Sequence, residues 1–332
     1  MAVKRNQRTR VITLLKILMQ RTDEDHPLNA TELAEKLSAF GIECDRKTIY
    51  EDIEALNLCG YDIINTRGAK SGYFIADRDF ELPEVSLLTD AVLSADFITR
   101  KKTDILVNKL KGLLNDYQAE SYSGRTFIDI RNKGDNEEIY YSIDGAERAI
   151  GEKKKITLKY IRHTLGTGRT PENSVKEMKV SPYALVWADD HYYLICNNEK
   201  YNNLMHLRLD RMKSVKVTNE DWRHFSEVCE YKDEFNTADY TDKVFNMFSG
   251  EEKEIVLDCS TEILEQVIDR FSDRIFIRSA GDNRFVFSHK AYVSDGLVTW
   301  IMQFGDKMRV KSPESLKTAI MDRANAVLKM YK

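Results

Sequence analysis

The sequence predicts an α+β chain of several domains, and three observations carry that prediction. Apolar residues recur at helical spacing through residues 10–58, and a short hairpin pattern follows them. From Lys153 the period changes to two, giving five short alternating runs separated by turns. From Glu254 to Lys332 strand-like and helix-like runs alternate, the pattern of a sheet covered by helices.

Val11, Leu14, Leu15 and Leu18 share one face of a first helix, Arg10 to Met19. Asn29-Ala30-Thr31-Glu32 has the form of a capping box opening a second, with Leu33 and Leu37 on its buried side. Gly41 can end it, because glycine tolerates the positive φ of a residue just past a helix. Asp45 can cap a third helix by accepting a bond from an orphan backbone N–H one turn on. There Ile49, Ile53 and Leu56 recur at i, i+4 and i+7 and face inward, so Arg46, Lys47 and Tyr50 project outward. Gly60 ends the run, and Tyr61–Asn65 and Tyr73–Ile75 read as strands around the turn Thr66–Gly72. Three helices and a hairpin make a winged helix-turn-helix, whose third helix enters the DNA major groove by its start. The alternative is a three-helix module used for protein contacts.

Candidate DNA contacts are therefore Arg5 and Arg8 in the N-terminal run, Arg46, Lys47, Thr48 and Tyr50 at the helix start, and Arg67 and Lys70 in the hairpin turn. Residues 1–22 hold Lys4, Arg5, Arg8, Arg10, Lys16 and Arg21 and no acid, although a solvated tail explains that run equally well. Residues 1–78 as a whole carry 12 basic and 12 acidic side chains, so attraction to phosphate must come from local clusters.

Beyond Leu82-Pro83 the pattern turns helical again. Leu88, Val92, Ala95 and Ile98 form one expected stripe, and Leu106, Leu110, Leu113 and Leu114 another. Such a hairpin needs a partner, either a second copy of the chain or its own domains. Residues 121–138 read as loop-rich, and Ile139–Ile150 as a short helix ended by Gly151. The period-two runs are Ile156–Tyr160, Glu177–Val186, His191–Cys196, Leu204–Leu209 and Ser214–Val217, with a loop expected over Leu165–Ser174. Five short strands with tight turns suggest a small bent barrel of SH3 or Sm type. Strands at Glu254–Asp258, Arg274–Ser279, Arg284–Tyr292 and Met308–Val310, with helices at Thr261–Arg270, Gly296–Gly305 and Pro313–Met330, suggest a ferredoxin-like α/β domain.

Composition excludes several classes. In 332 residues, 42% hydrophobic and 31% charged is the balance of a soluble globular chain with net charge −4. No apolar window reaches the length of a membrane span, and no secretory signal is evident, so a cytoplasmic protein is expected. Cys44, Cys59, Cys196, Cys229 and Cys259 are far apart, with no Cys-x-x-Cys pair, so neither disulfides nor a thiolate metal site is expected. Gly166-Thr167-Gly168 lacks the Gly-Lys-Ser/Thr of a P-loop, and no Gly-x-Ser-x-Gly occurs. No enzyme, cofactor or metal is expected.

Three sets of residues resemble a known family, the bacterial transcriptional regulators with a winged helix-turn-helix, a WYL domain and a C-terminal extension domain. They are Arg46–Ile53 with Ser71-Gly72-Tyr73; Ser181–Val186 followed by His191-Tyr192-Tyr193-Leu194; and Leu207-Arg208-Leu209-Asp210-Arg211-Met212. Tyr192 stands where the family name has Trp, so the aromatic body is kept but the donor becomes a phenol. The resemblance implies domains at 1–79 (winged helix-turn-helix), 80–150 (helical linker or dimerisation region), 151–222 (WYL barrel) and 223–332 (ferredoxin-like extension). It implies a homodimer on double-stranded operator DNA, sensing a nucleotide or single-stranded nucleic-acid ligand. Tyr183, Tyr193, His206, Arg208 and Arg211 are its candidate contacts. Alternation along the strand supports this, pointing Met205, Leu207 and Leu209 one way and His206, Arg208 and Asp210 the other. A surface ion pair between Arg208 and Asp210 is the plainer reading. An accessory module of a phage-defence or CRISPR-type system is the alternative function.

Overall fold

A computed structural model describes residues 7–68, 70–122, 133–166, 171–271 and 275–332. The chain divides into two compact units, Met1–Lys133 and Gly134–Lys332.

The first unit opens with α1 (Gln7–Arg21), α2 (Ala30–Ala39) and α3 (Arg46–Leu58), followed by the antiparallel hairpin β1 (Ile63–Thr66) and β2 (Gly72–Ile75). The expected signals act where they stand. The Asn29 side chain accepts from the N–H groups of Thr31 and Glu32, while Glu32 accepts from the Asn29 N–H. Asp45 Oδ1 accepts from Thr48 N at 2.8 Å. Gly41 and Gly60 sit at φ +72° and +95° just past the ends of their helices. Leu14, Leu18, Leu33, Leu37, Ile49, Ile53 and Leu56 form one buried core with Ile63 and Ile75. Leu28, before α2, exchanges both backbone bonds with Tyr73 at 3.0 and 2.7 Å, adding a bridge to the hairpin. A Cβ on Gly72 would lie 2.6 Å from the Leu28 carbonyl carbon, so only glycine permits that approach.

Three helices follow: α4 (Leu82–Ser94), α5 (Arg100–Lys111) and α6 (Asp116–Tyr122). The buried face of α4 is Val85, Thr89 and Leu93, whereas Leu88 is exposed. The expected Leu88 stripe fails because α4 stops at Ser94 and Ala95 is extended (ψ 96°), so helical spacing does not carry through to Ala95 and Ile98. Both of those are nonetheless buried. Leu114 is buried and Leu113 exposed. Asn115 Nδ2 donates to Thr22 O at 3.2 Å and Asp23 Oδ2 at 2.9 Å, tying the start of α6 to the end of α1.

The second unit begins with α7 (Ile139–Glu152). A five-stranded antiparallel sheet follows, made of β3 (Lys154–Leu165), β4 (Pro171–Ala188), β5 (His191–Asn197), β6 (Met205–Arg208) and β7 (Met212–Asp221), in the order β6-β5-β4-β3-β7. The β3–β4 ladder runs on to Leu165↔Pro171, so most of the expected loop over 165–174 is strand, and residues 167–170 lie outside the described set. α7, in the stretch the sequence assigns to the linker, packs on this sheet closely enough that a Cβ on Gly145 would come 3.1 Å from Val215 Cγ1. No closed barrel forms among the described residues, because no ladder joins β6 to β7. A bulge at Pro182/Ala184 breaks the register of β4, and the Tyr160 hydroxyl on β3 accepts from Arg208 N on β6 at 3.3 Å, so the sheet is bent back on itself.

One face of the sheet is covered by residues 222–247, which sequence periodicity left unassigned. Phe225, Tyr240, Val244 and Met247, the middle pair on or beside α8 (Thr237–Lys243), pack with Tyr183, Ala184, Val186, Ile195 and Leu204. The chain then forms β8 (Glu251–Ser260), α9 (Leu264–Phe271), β9 (Arg278–Ser279), β10 (Arg284–Val293), α10 (Asp295–Met302), β11 (Met308–Ser312) and α11 (Glu314–Met330). The sheet order is β11-β8-β10-β9, all antiparallel, over a core that includes Leu257, Val267, Phe285, Phe287 and Ile301. The expected strand 274–279 shortens to two residues, and Arg274 lies outside the described set.

Candidate nucleic-acid interface and sensor face

The start of α3 is built to present charge. Burial of Ile49, Ile53 and Leu56 fixes the rotation of the helix, which leaves Arg46, Lys47 and Tyr50 exposed and Thr48 half-buried. The bond from Thr48 N holds the Asp45 carboxyl below its usual range, so the cap is ionised and adds a negative charge beside the basic start. Lys47 is only loosely held by Glu51, at 3.9 Å, with both side chains well exposed. The Tyr50 ring lies 6.2 Å from that of Tyr73 on β2, so helix and hairpin form one surface. Arg8 and Arg67 are exposed, while Lys70 Nζ donates to Asp25 O at 2.9 Å. Arg5 lies outside the described residues.

Arg10, part of the basic N-terminal run, is engaged elsewhere. Its Nε and Nη2 donate to both oxygens of Asp52, at 2.6 and 2.9 Å, and Asp52 is 3% exposed. These bonds raise the Arg10 pKa and pin α1 to α3. Sequence reasoning missed the pair because its members are 42 residues apart and Asp52 reads as an exposed helix acid.

The sensor candidates are brought together only in part. Tyr193 and Arg208 are direct partners across β5 and β6. Arg208 Nε and Nη2 grip Asp210 at 3.1 and 2.7 Å, the ion pair named as the plainer reading. The expected alternation stops at Arg208, because Leu209–Arg211 is a 3-10 turn rather than strand. Burial removes Tyr183 from the open face, while His206 is half-buried and loses its expected charge. Tyr183 is 4% exposed, donates its hydroxyl to Arg223 O at 2.7 Å, and is ringed by Trp222, Phe225 and Phe235. His206 Nε2 meets the Tyr240 hydroxyl at 2.8 Å, and desolvation pushes its imidazole down to about 4, so it is neutral at physiological pH and no cationic donor. The signal that could have found this is the run of aromatics Phe225, Tyr231, Phe235 and Tyr240, an apolar set with no period. Arg211 lines an open depression of about 410 Å³ with Tyr160, Arg162, His163 and the candidate His206. Among the described residues, no group of three or more His, Cys, Asp or Glu could hold a metal ion, and no helix is long and apolar enough to cross a membrane.

Family models match three stretches in order: an HTH domain over residues 10–74, a WYL domain over 143–217 and a WCX domain over 251–328. The chain belongs to the WYL-domain transcriptional-regulator family. Among relatives of this WYL-domain chain, the uncharacterized HTH-type transcriptional regulator YobV of Bacillus subtilis (strain 168) is 25% identical over 205 residues, covering 58% of this chain and 61% of that protein. A solved structure, the proteasome accessory factor B/C (PafBC) of Arthrobacter aurescens, is 18% identical at a TM-score of 0.28, with 99% of this chain and 50% of that chain covered. The chain thus spans about three fifths of the one and half of the other.

Proposed function

We propose that this WYL-domain chain is a homodimeric regulator that binds operator DNA through its helix-turn-helix unit and answers to a nucleotide or nucleic-acid-derived ligand. The observation that carries the reading is the exposed basic start of α3, on a helix whose other face is locked into the core. Two such helices related by a dimer axis would read half-sites about one helical turn (~34 Å) apart. Arg46 and Lys47 contact base edges or phosphates, with Arg5, Arg8, Thr48, Tyr50, Arg67 and Lys70 around them. Domains at 1–79, 80–150, 151–222 and 223–332 remain the working division. The order β6-β5-β4-β3-β7 with its 3-10 turn supports an Sm- or SH3-type sheet, and β11-β8-β10-β9 supports a ferredoxin-like extension. On the sensor sheet, Tyr193 and Arg211 face the ligand, with Arg208 held by Asp210. A ligand shifts the dimer only by as much as it prefers one arrangement over the other. No catalytic step enters this reading.

The test is a gel shift against the DNA upstream of the chain's own coding region, with and without short oligonucleotides. Arg46→Ala and Lys47→Ala each cost ~1–3 kcal/mol if they read a base edge, and relax one operator position. Unchanged duplex binding by the double variant removes the assignment.

A further inference from the structure

Helix α1 carries a second apolar face beside the one that enters the core. Ile12, Leu15, Lys16, Met19 and Gln20 recur at i, i+3, i+4, i+7 and i+8, so they share one stripe of the helix. Phe80, Leu113 and Leu114 complete a hollow of about 310 Å³ over that stripe, all within the first unit. Ile12 is 68% exposed, Leu113 42% and Phe80 38%, so apolar side chains from three parts of the chain meet there uncovered. The polar part of the wall is cationic. Lys16 and Arg78 both line it, and among the described residues neither forms an ion pair. Asp79 is the acid in the wall, so two cations against one carboxylate leave a net charge of +1. Arg78 Nη1 and Nη2 donate to Met19 O and Thr22 O at 2.8 and 2.7 Å, which fixes the guanidinium at the end of α1 and leaves its Nε–H free among the described residues. Burial holds that guanidinium below its usual range, and an anion beside it would offset the lost hydration.

We propose that this hollow binds a small organic anion, a monocarboxylate with an apolar body, its headgroup held by Arg78 and Lys16 and its body laid on Leu15, Met19 and Phe80. The site belongs to the helix-turn-helix unit and goes beyond the function proposed above. Its volume stands at the small end of the ~300–1,000 Å³ range of small-molecule sites, which are mostly apolar with a few placed polar groups. A cation would meet Arg78 and Lys16 as like charges. A neutral apolar molecule would leave the guanidinium without a counter-charge. Leu15 and Met19 also pack against the helix-turn-helix core, so an occupant ties that core to the chain at Phe80 and Leu113.

The experiment is calorimetric titration of the full chain with octanoate, set against 1-octanol and octylammonium, which keep the chain length but carry no charge or the opposite one. One octanoate should bind per chain, 1-octanol should bind roughly tenfold more weakly or worse, and octylammonium should give no heat. Ile12→Glu and Ile12→Lys remove the same apolar contact at an exposed position, so both keep the fold and differ in charge. The first should bind octanoate roughly tenfold more weakly than the second. Leu113→Trp, also at an exposed position, fills the hollow and should abolish uptake. With octanoate at saturation, amide exchange should slow in peptides from α1 and stay unchanged in peptides of the second unit. No octanoate binding, equal binding of 1-octanol or octylammonium, equal affinity in the two Ile12 variants, or slowing confined to the second unit overturns the proposal.

Discussion

Removing Arg10 should destabilise the helix-turn-helix unit far more than removing Asp52, although the two share the same pair of bonds. In Arg10→Ala a carboxylate that is 3% exposed loses both its donors. A stranded buried charge of that kind costs ~3–5 kcal/mol. In Asp52→Ala the stranded group is a guanidinium whose side chain is already 18% exposed and can swing outward, so ~1–2 kcal/mol is expected. The double variant Arg10→Met, Asp52→Leu replaces the pair by apolar groups of similar length and should fall within ~1 kcal/mol of the parent. Trp187, Trp222 and Trp300 all lie beyond residue 133, so tryptophan fluorescence does not report on this unit. Hydrogen exchange of peptides from α1 and α3 does, and 3 kcal/mol there is roughly a 150-fold loss of protection. Because Arg10 is spent on Asp52, the double variant should also keep the salt dependence of operator binding. Equal losses in the two single variants, or a double variant as unstable as Arg10→Ala, would refute the electrostatic account.

Gly72→Ala forces the Leu28 backbone away from β2, and an overpacking cost of ~1–3 kcal/mol should appear as faster exchange at Leu28 and Tyr73. His206 ionises near 4 when folded against 6.5 in the open chain, so the unfolded state binds more protons between those values; stability is full above that window and is lost as pH falls through it. A loss of ~2–3 kcal/mol is expected by pH 4 in melts followed by tryptophan fluorescence, and His206→Gln should remove that part of the slope; an identical slope in the variant rejects the assignment. Sedimentation at micromolar concentration should give about twice the 38.5 kDa chain mass, and a clean monomer with and without DNA would exclude the dimer.

Local chemistry made the first unit legible. Asp45, Asn29 with Glu32, Gly41 and Gly60 each act on a neighbour within a few residues, and their sequence spacing is also their spacing in space. The same holds for the alternation in β3 and in the first half of β10, whereas β5 buries Leu194, Ile195, Cys196 and Asn197 in a row. The reading failed where spacing was counted across a break, as from Leu88 to Ile98, or where a partner arrives from afar. His206 looked like a free cationic donor until Tyr240, 34 residues on, engaged its ring. Arg208 and Asp210, two residues apart, were foreseen as a pair because both members were in view at once.

The cover over the five-stranded sheet bears on how such chains can be recombined. A graft cut at Asp221 would carry the strands but leave Tyr183, Val186, Ile195 and Leu204 facing solvent, an adhesive apolar surface. Phe225, Tyr240, Val244 and Met247 belong to the same inheritance as the strands they shield. The same cluster takes in Tyr292 of β10, so the stretch that travels intact runs from α7 on through the second sheet, and chimaeras joined any earlier should aggregate rather than change their ligand.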